Sequence, residues 1–292
     1  MIGLDRRLVA PGRPATLVAV RSALAIVLAM RLALRRWWSM NRRPPELFDP
    51  VVVVSWLSRP VPSWTLVVVQ GIGVVACALV VARRHGVLAF AVAWACLLFL
   101  AGLWGSSGKV MHNDVLILTA CVPMLFAPAP PIGQPDELDD RWGWPPRAVL
   151  AVVATVYFAT GYQKLVHSGL EWVFSDNLSW VLRGGTSKFG PGFTDAVAGQ
   201  GWLTRSIALG ALSLELLAPV LLYVRRTRLL FLAGSVALHG SIWIMMGLDY
   251  YAWPLTVAAA VVPTVAPRWA TPIADPRPRR DLPSALAVSA DG

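Results

Sequence analysis

Residues 87–105 read VLAFAVAWACLLFLAGLWG, and the class of the fold follows from them. The run carries no charged side chain, and as a helix it is long enough to cross about 30 Å of hydrocarbon. In lipid every backbone N–H and C=O must be bonded within the segment, which a helix achieves. Working outward, seven further apolar runs bounded by charge, Pro or Gly fall at residues 17–34, 63–82, 112–127, 148–167, 206–224, 228–247 and 252–267. Together they predict an all-α, polytopic transmembrane helix bundle of about eight spans with no soluble catalytic domain. The run at 17–34 is the weakest candidate because Arg21 and Arg31 lie within it, and the run at 112–127 is short.

Composition agrees. The chain is 56% hydrophobic and 14% charged, against roughly 45–50% and about 25% for a soluble globular protein. That excludes an ordinary water-soluble enzyme and a disordered chain. The net charge of +10 would otherwise invite a nucleic-acid partner. Here the bilayer is the expected partner and no nucleic acid is, because arginines flanking membrane spans make multi-pass proteins basic. Cys77, Cys96 and Cys121 all sit inside apolar runs without CxxC spacing, so neither a disulfide framework nor a metal site is expected.

Positive residues in short loops stay on the cytoplasmic side. With the N-terminus inside, Arg83 and Arg84, then Arg141 and Arg147, then Arg225, Arg226 and Arg228 are cytoplasmic, and Arg268, Arg277, Arg279 and Arg280 follow the last run. This predicts a plasma-membrane protein with both termini cytoplasmic. No cleavable signal peptide is read. The expected organisation is a basic cytoplasmic tail over 1–16, a membrane domain over 17–267 and a disordered Pro/Arg-rich tail over 268–292. Arg31, Arg35, Arg36, Arg42, Arg43 and Arg59 disagree, since they fall outside in a Pro- and Trp-rich stretch. An interfacial cap with Trp37, Trp38, Trp56 and Trp64 at headgroup depth is the expected resolution. Residues 127–147 read as a Pro-rich cytoplasmic linker, and 168–205 as a long outer loop of the kind that forms lids.

Ionisable residues in a bilayer are costly and generally face the bundle interior. They are His112 and Asp114, Lys164 and His167, Glu215, His239, and Asp249. In TVYFATGYQKLVHSGLEW, Tyr157, Thr160, Lys164 and His167 recur at helical spacing and share one face. Of 26 basic residues only Lys109, Lys164 and Lys188 are lysine, so arginine is this chain's habit for bulk charge. A lysine can lose its proton and act as a base, whereas a guanidinium cannot; equally, Lys164 can snorkel to the headgroups. His112 can donate or accept, with Asn113 and Asp114 orienting it or capping the helix. The span order brings His112 and Lys164 to the same side of the membrane. Glu215 and His239, near midplane on neighbouring spans, are expected to bond to each other, and Asp249 to serve a structural role.

The set GKVMHND (108–114), YFATGYQKL (157–165) followed by Trp172, LELLAP (214–219) and LHGSIWIMMGL (238–248) resembles the horizontally transferred transmembrane domain (HTTM) family. That family shares its membrane core with the vitamin K-dependent gamma-glutamyl carboxylases. The likeness covers roughly residues 15–267. It implies a reduced menaquinone or vitamin K-type quinol as cofactor and no metal. It also implies Lys164 as the base that deprotonates the quinol and His112 as its partner. Asn113, Tyr157, Thr160, His167 and His239 are the further residues expected to hold the cofactor. A carboxylase usually has two adjacent lysines where this chain has Gln163 and Lys164, and here Asn113 follows the histidine. The propeptide-docking domain of the animal enzymes is not expected, so carboxylation of a protein glutamate is doubtful and the substrate stays open.

Two functions fit these residues. One is quinol-dependent base chemistry in an intramembrane cavity; the other is a non-enzymatic multi-pass protein, a small-ligand carrier or assembly partner. A membrane subunit of a quinone-linked oxidoreductase is a weaker third, since no haem-type His pair is evident. The feature dividing the first two is whether Lys164 and His112 face one cavity.

Overall fold

A computed structural model describes residues 10–107 and 112–265. Arg6, Arg7, Lys109 and the tail over 268–292 lie outside the described residues, so the expected C-terminal tail and most of the N-terminal one are not addressed. The described chain forms eleven α-helices and no strand. They are α1 (Pro14–Leu34), α2 (Ser63–Val81), α3 (Gly86–Gly105), α4 (Val115–Phe126), α5 (Asp140–Ser168), α6 (Glu171–Phe174), α7 (Asn177–Arg183), α8 (Pro191–Ala198), α9 (Gly201–Tyr223), α10 (Arg228–Met246) and α11 (Ala252–Val265). Six helices are long and apolar enough to cross a membrane, and α4 and α11, at the two remaining expected runs, are shorter apolar helices.

The run interrupted by two arginines is the centre of the bundle. Helix α1 touches α2, α3, α4, α5 and α11, and its Leu17, Val20, Leu24, Leu28 and Leu32 are fully buried. Its two arginines belong to the packing. Arg21 donates through Nη2 to the carbonyls of Ala127 at 2.7 Å and Pro128 at 3.1 Å, closing the C-terminal end of α4, where helical carbonyls lack partners. Arg31, fully buried, donates from Nε to Asp114 Oδ1 at 2.6 Å and from Nη1 to Asp249 Oδ2 at 3.3 Å. Arg35 takes the other Asp114 oxygen at 3.1 Å and lies over the Trp104 ring at 3.8 Å. Arg31 and Arg35 are therefore committed as partners of Asp114, a packing role that accounts for their departure from the loop-charge rule.

Three expectations need correction. The stretch after α1 is a series of 3-10 turns, Trp37–Arg42, Pro45–Leu47 and Val52–Val54. Within it Trp37 is fully buried, donating to Leu32 O at 3.2 Å, and only Trp56 and Trp64 of the expected belt are strongly exposed. The linker over 127–147 ends early, because Asp139 accepts from the Arg141 N–H and starts α5 at Asp140. The expected loop over 168–205 is mostly three short helices, α6, α7 and α8, packed beside α9.

Candidate functional site

The polar stripe of α5 meets α9 where both helices come unusually close. A Cβ at Gly161 would lie 2.9 Å from Glu215 Cβ and 3.2 Å from Leu216 Cγ, so only glycine permits the approach. One turn on, Lys164 Nζ reaches Glu215 at 2.6 Å from Oε1 and 2.6 Å from Oε2, and also lies 4.5 Å from the Trp172 ring centroid. Charge-assisted bonds of this length are the strong class. The Glu215 side chain is 6% exposed and that of Lys164 is 23%, so the pair is largely withdrawn from solvent without being sealed.

The expected Glu215–His239 bond is not made. Glu215 is taken by Lys164, and His239 by Tyr157, whose hydroxyl lies 3.0 Å from His239 Nε2 and 2.7 Å from Ser235 Oγ. The physical reason is charge: a buried carboxylate gains more from an ammonium than from a neutral ring. Tyr157 is held edge-on against Phe231 and Trp253 at 5.0 and 5.3 Å between centroids. The other His239 nitrogen, Nδ1, is buried without a partner. Such a group costs free energy unless something bonds it.

Both sets open onto one cavity of about 730 Å³ between α5, α7, α9 and α10. Its walls are mainly apolar, with Val115, Val156, Ala211, Ile242, Met245 and Met246. This is the size and character of a small-molecule site. Lys164 and His112 both line it, as do Tyr157, Thr160, Glu215 and His239. Thr160 spends its hydroxyl on Val156 O at 2.8 Å, so it contributes shape more than a donor. His112 presents an exposed ring, while its carbonyl accepts from Trp253 Nε1 at 3.2 Å.

The remaining expected residues lie elsewhere. His167 is exposed and outside the lining, one turn beyond the cavity. Asn113 is also outside it: its side-chain amide donates to the Asp249 carbonyl and its Oδ1 is buried without a partner. Asp114 and Asp249 both pair with Arg31, away from the cavity. Gln163, Trp172, Asn177, Tyr250 and Trp253 line the cavity without having been singled out as site residues. The first two stand in or beside YFATGYQKL, and Asn177 stands in SDNLSW, a stretch noted only as loop. Burial pushes the Tyr250 phenol above its ordinary value, so it remains a donor at neutral pH.

The wall formed by α7 is strapped to α10. Lys188 N donates to Ile244 O at 3.0 Å, Ser187 Oγ to Ile244 O at 3.0 Å, and Thr186 N to Met246 O at 3.4 Å. Gly247, at φ +65, ends α10 there, and a Cβ on it would strike Thr186 O. Among the described residues, no group of three His, Cys, Asp or Glu side chains is placed to hold a metal ion. The chain matches no protein-family model, no curated protein and no solved structure.

Proposed function

We propose that this chain is an integral membrane protein of the HTTM or vitamin K-dependent carboxylase-like type, carrying out quinol-dependent proton chemistry in the intramembrane cavity. One observation supports the reading above others. A bidentate Lys164–Glu215 pair stands in the wall of an otherwise apolar cavity that also contains His239 with its buried, unpartnered Nδ1. The donor set fits a reduced menaquinone-type ring, which is flat and apolar with a polar oxygen at each end. Trp172, Tyr250 and Trp253 supply aromatic surface for such a ring.

When bound, a quinol supplies an ionisable hydroxyl and reducing equivalents. The chain's own residues do the rest. The resemblance makes Lys164 the base, but two of its N–H donors are committed to Glu215, so the atoms with free lone pairs belong to the carboxylate. Glu215 accepts the hydroxyl proton, and the Lys164 ammonium offsets the negative charge left in the cavity. His239, held at Nε2 by the Tyr157 hydroxyl that also meets Ser235, would hold a second oxygen of the group through Nδ1. The α7 wall and Trp172 keep bulk water from the pair, which strengthens each of these interactions. In this reading the protein lies in the plasma membrane with both termini cytoplasmic, and α6 to α8 on the outer side.

Purification in mild detergent followed by mass spectrometry of the lipid extract tests the reading. A quinone is expected to copurify with the wild type and to be depleted from Ala211→Trp, which fills the cavity. Quinone no higher than in a detergent blank, or equal in both proteins, would contradict it.

A further inference from the structure

On the half of the α5–α9 pair away from the cavity lies a second groove, of about 390 Å³. Arg147 and Arg228 stand at one end, and Ala151, Thr155, Pro219 and Phe158 continue it along the helices. Arg147 and Phe158 are eleven residues apart on α5, about 16 Å at the helical rise, which is one leaflet's share of a hydrocarbon core roughly 30 Å thick. The groove is thus charged at one end and apolar for a length that matches a single leaflet.

No ion pair cancels the charge at its head. Among the described residues neither Arg147 nor Arg228 makes an ion pair. Arg228 donates from Nε to Leu222 O at 2.8 Å, and Arg147 donates to the carbonyls of Ala10 and Pro11. Carbonyls satisfy N–H groups without cancelling charge. Arg225 and Arg147 are both close enough to repel Arg228, while Asp140 acts on Arg147 only through space. Two like charges at the head of an apolar groove, with Arg225 adding to the positive field nearby, call for an anion that carries its own hydrocarbon.

We propose that this groove seats one anionic phospholipid of the adjoining leaflet. Its phosphate rests between Arg147 and Arg228, and an acyl chain runs along α5 and α9 to Phe158. A zwitterionic lipid fits less well, because its ammonium would join two arginines. Basic pockets between membrane helices bind anionic headgroups by the same physics.

Native mass spectrometry of the full chain, titrated with dioleoyl phosphatidylglycerol or dioleoyl phosphatidylcholine, tests the assignment. One phosphatidylglycerol is expected to bind in preference to phosphatidylcholine. Arg147→Gln and Arg228→Gln should each weaken it about fivefold. Ala151→Trp, which blocks the groove and leaves every charge in place, should weaken it at least as much. Glycerol phosphate, which has the headgroup and no chain, should not displace the lipid. Equal binding of the two lipids overturns the proposal. So does unchanged binding to Ala151→Trp, which signals general surface attraction, or displacement by glycerol phosphate. Should an arginine variant fail to fold, Ala151→Trp and the lipid comparison on the wild type still decide.

Discussion

Gly161 of α5 presses its Cα face against Glu215 of α9, so closely that an added Cβ would sit 2.9 Å from the glutamate's own. That approach places Lys164, one turn later, on both carboxylate oxygens. Gly161→Val must therefore force the helices apart. Overpacking of this kind costs about 1–3 kcal/mol, and thermal unfolding in detergent should register it. Gly71→Ala, where a Cβ meets nothing within 4 Å, is the control and should be near neutral or mildly stabilising. Equal effects at the two glycines would contradict the close approach.

The Lys164–Glu215 pair should behave as a buried unit. Lys164→Met leaves a buried carboxylate without its counter-ion, and breaking such a pair costs about 3–5 kcal/mol. Removing both partners together, as Lys164→Met with Glu215→Met, should cost less than Lys164→Met alone. A double-mutant cycle by chemical or thermal unfolding measures the coupling. Strict additivity would mean that the two side chains do not hold each other.

Asp114 bridges Arg31 and Arg35, one carboxylate oxygen to each, the first of them fully buried. Asp114→Asn should therefore destabilise the bundle by about 3–5 kcal/mol. Arg59→Gln, an exposed arginine without an ion pair among those described, should stay within about 0.5 kcal/mol. Comparison of the two by thermal unfolding checks whether the arginines near the end of α1 are structural. Similar small effects would mean that Asp114 does not hold Arg31 and Arg35 in the packing.

These charges mark what the sequence could and could not disclose. Residues 87–105 declare a helix in lipid because nothing in them is charged. The polar stripe of α5 is legible as far as Lys164 because helical spacing alone puts Tyr157, Thr160 and Lys164 on one face. His167 shares that spacing, yet the cavity ends a turn earlier, and spacing carries no information about where a neighbouring helix stops. Arg21 and Arg31 read as penalties within a span because hydropathy scores a charge in isolation, whereas here carbonyls and carboxylates meet them. The partner of Glu215 was misjudged for the same reason. Order along the chain made His239 its neighbour, while the glycine contact at Gly161 brought an ammonium instead. The helices α6 to α8 are too short for a periodic signal to build up in them.

Topology is checked by single cysteines introduced into a background with Cys77, Cys96 and Cys121 replaced by alanine. A cysteine at Ser187, in the strap beside α10, is expected to react with an impermeant maleimide added outside intact cells, and one at Arg226 only after the membrane is opened. The reverse pattern would invert the bundle and put the cavity wall formed by α7 on the cytoplasmic side.

The central claim is that Glu215, held by Lys164, takes a proton from a quinol in the cavity. Its most direct test is the rate of oxidation of reduced menaquinone by dioxygen in liposomes with and without the reconstituted protein. The wild type should exceed protein-free liposomes. Glu215→Gln, which keeps the shape and loses the acceptor, should cut the protein-dependent rate by at least about 100-fold, the scale of positioned acid–base catalysis. Lys164→Arg, which keeps the cation on the carboxylate, should retain most of it. A wild-type rate equal to that of empty liposomes, or a Glu215→Gln rate equal to wild type, would contradict the account and leave the cavity a binding site without proton chemistry.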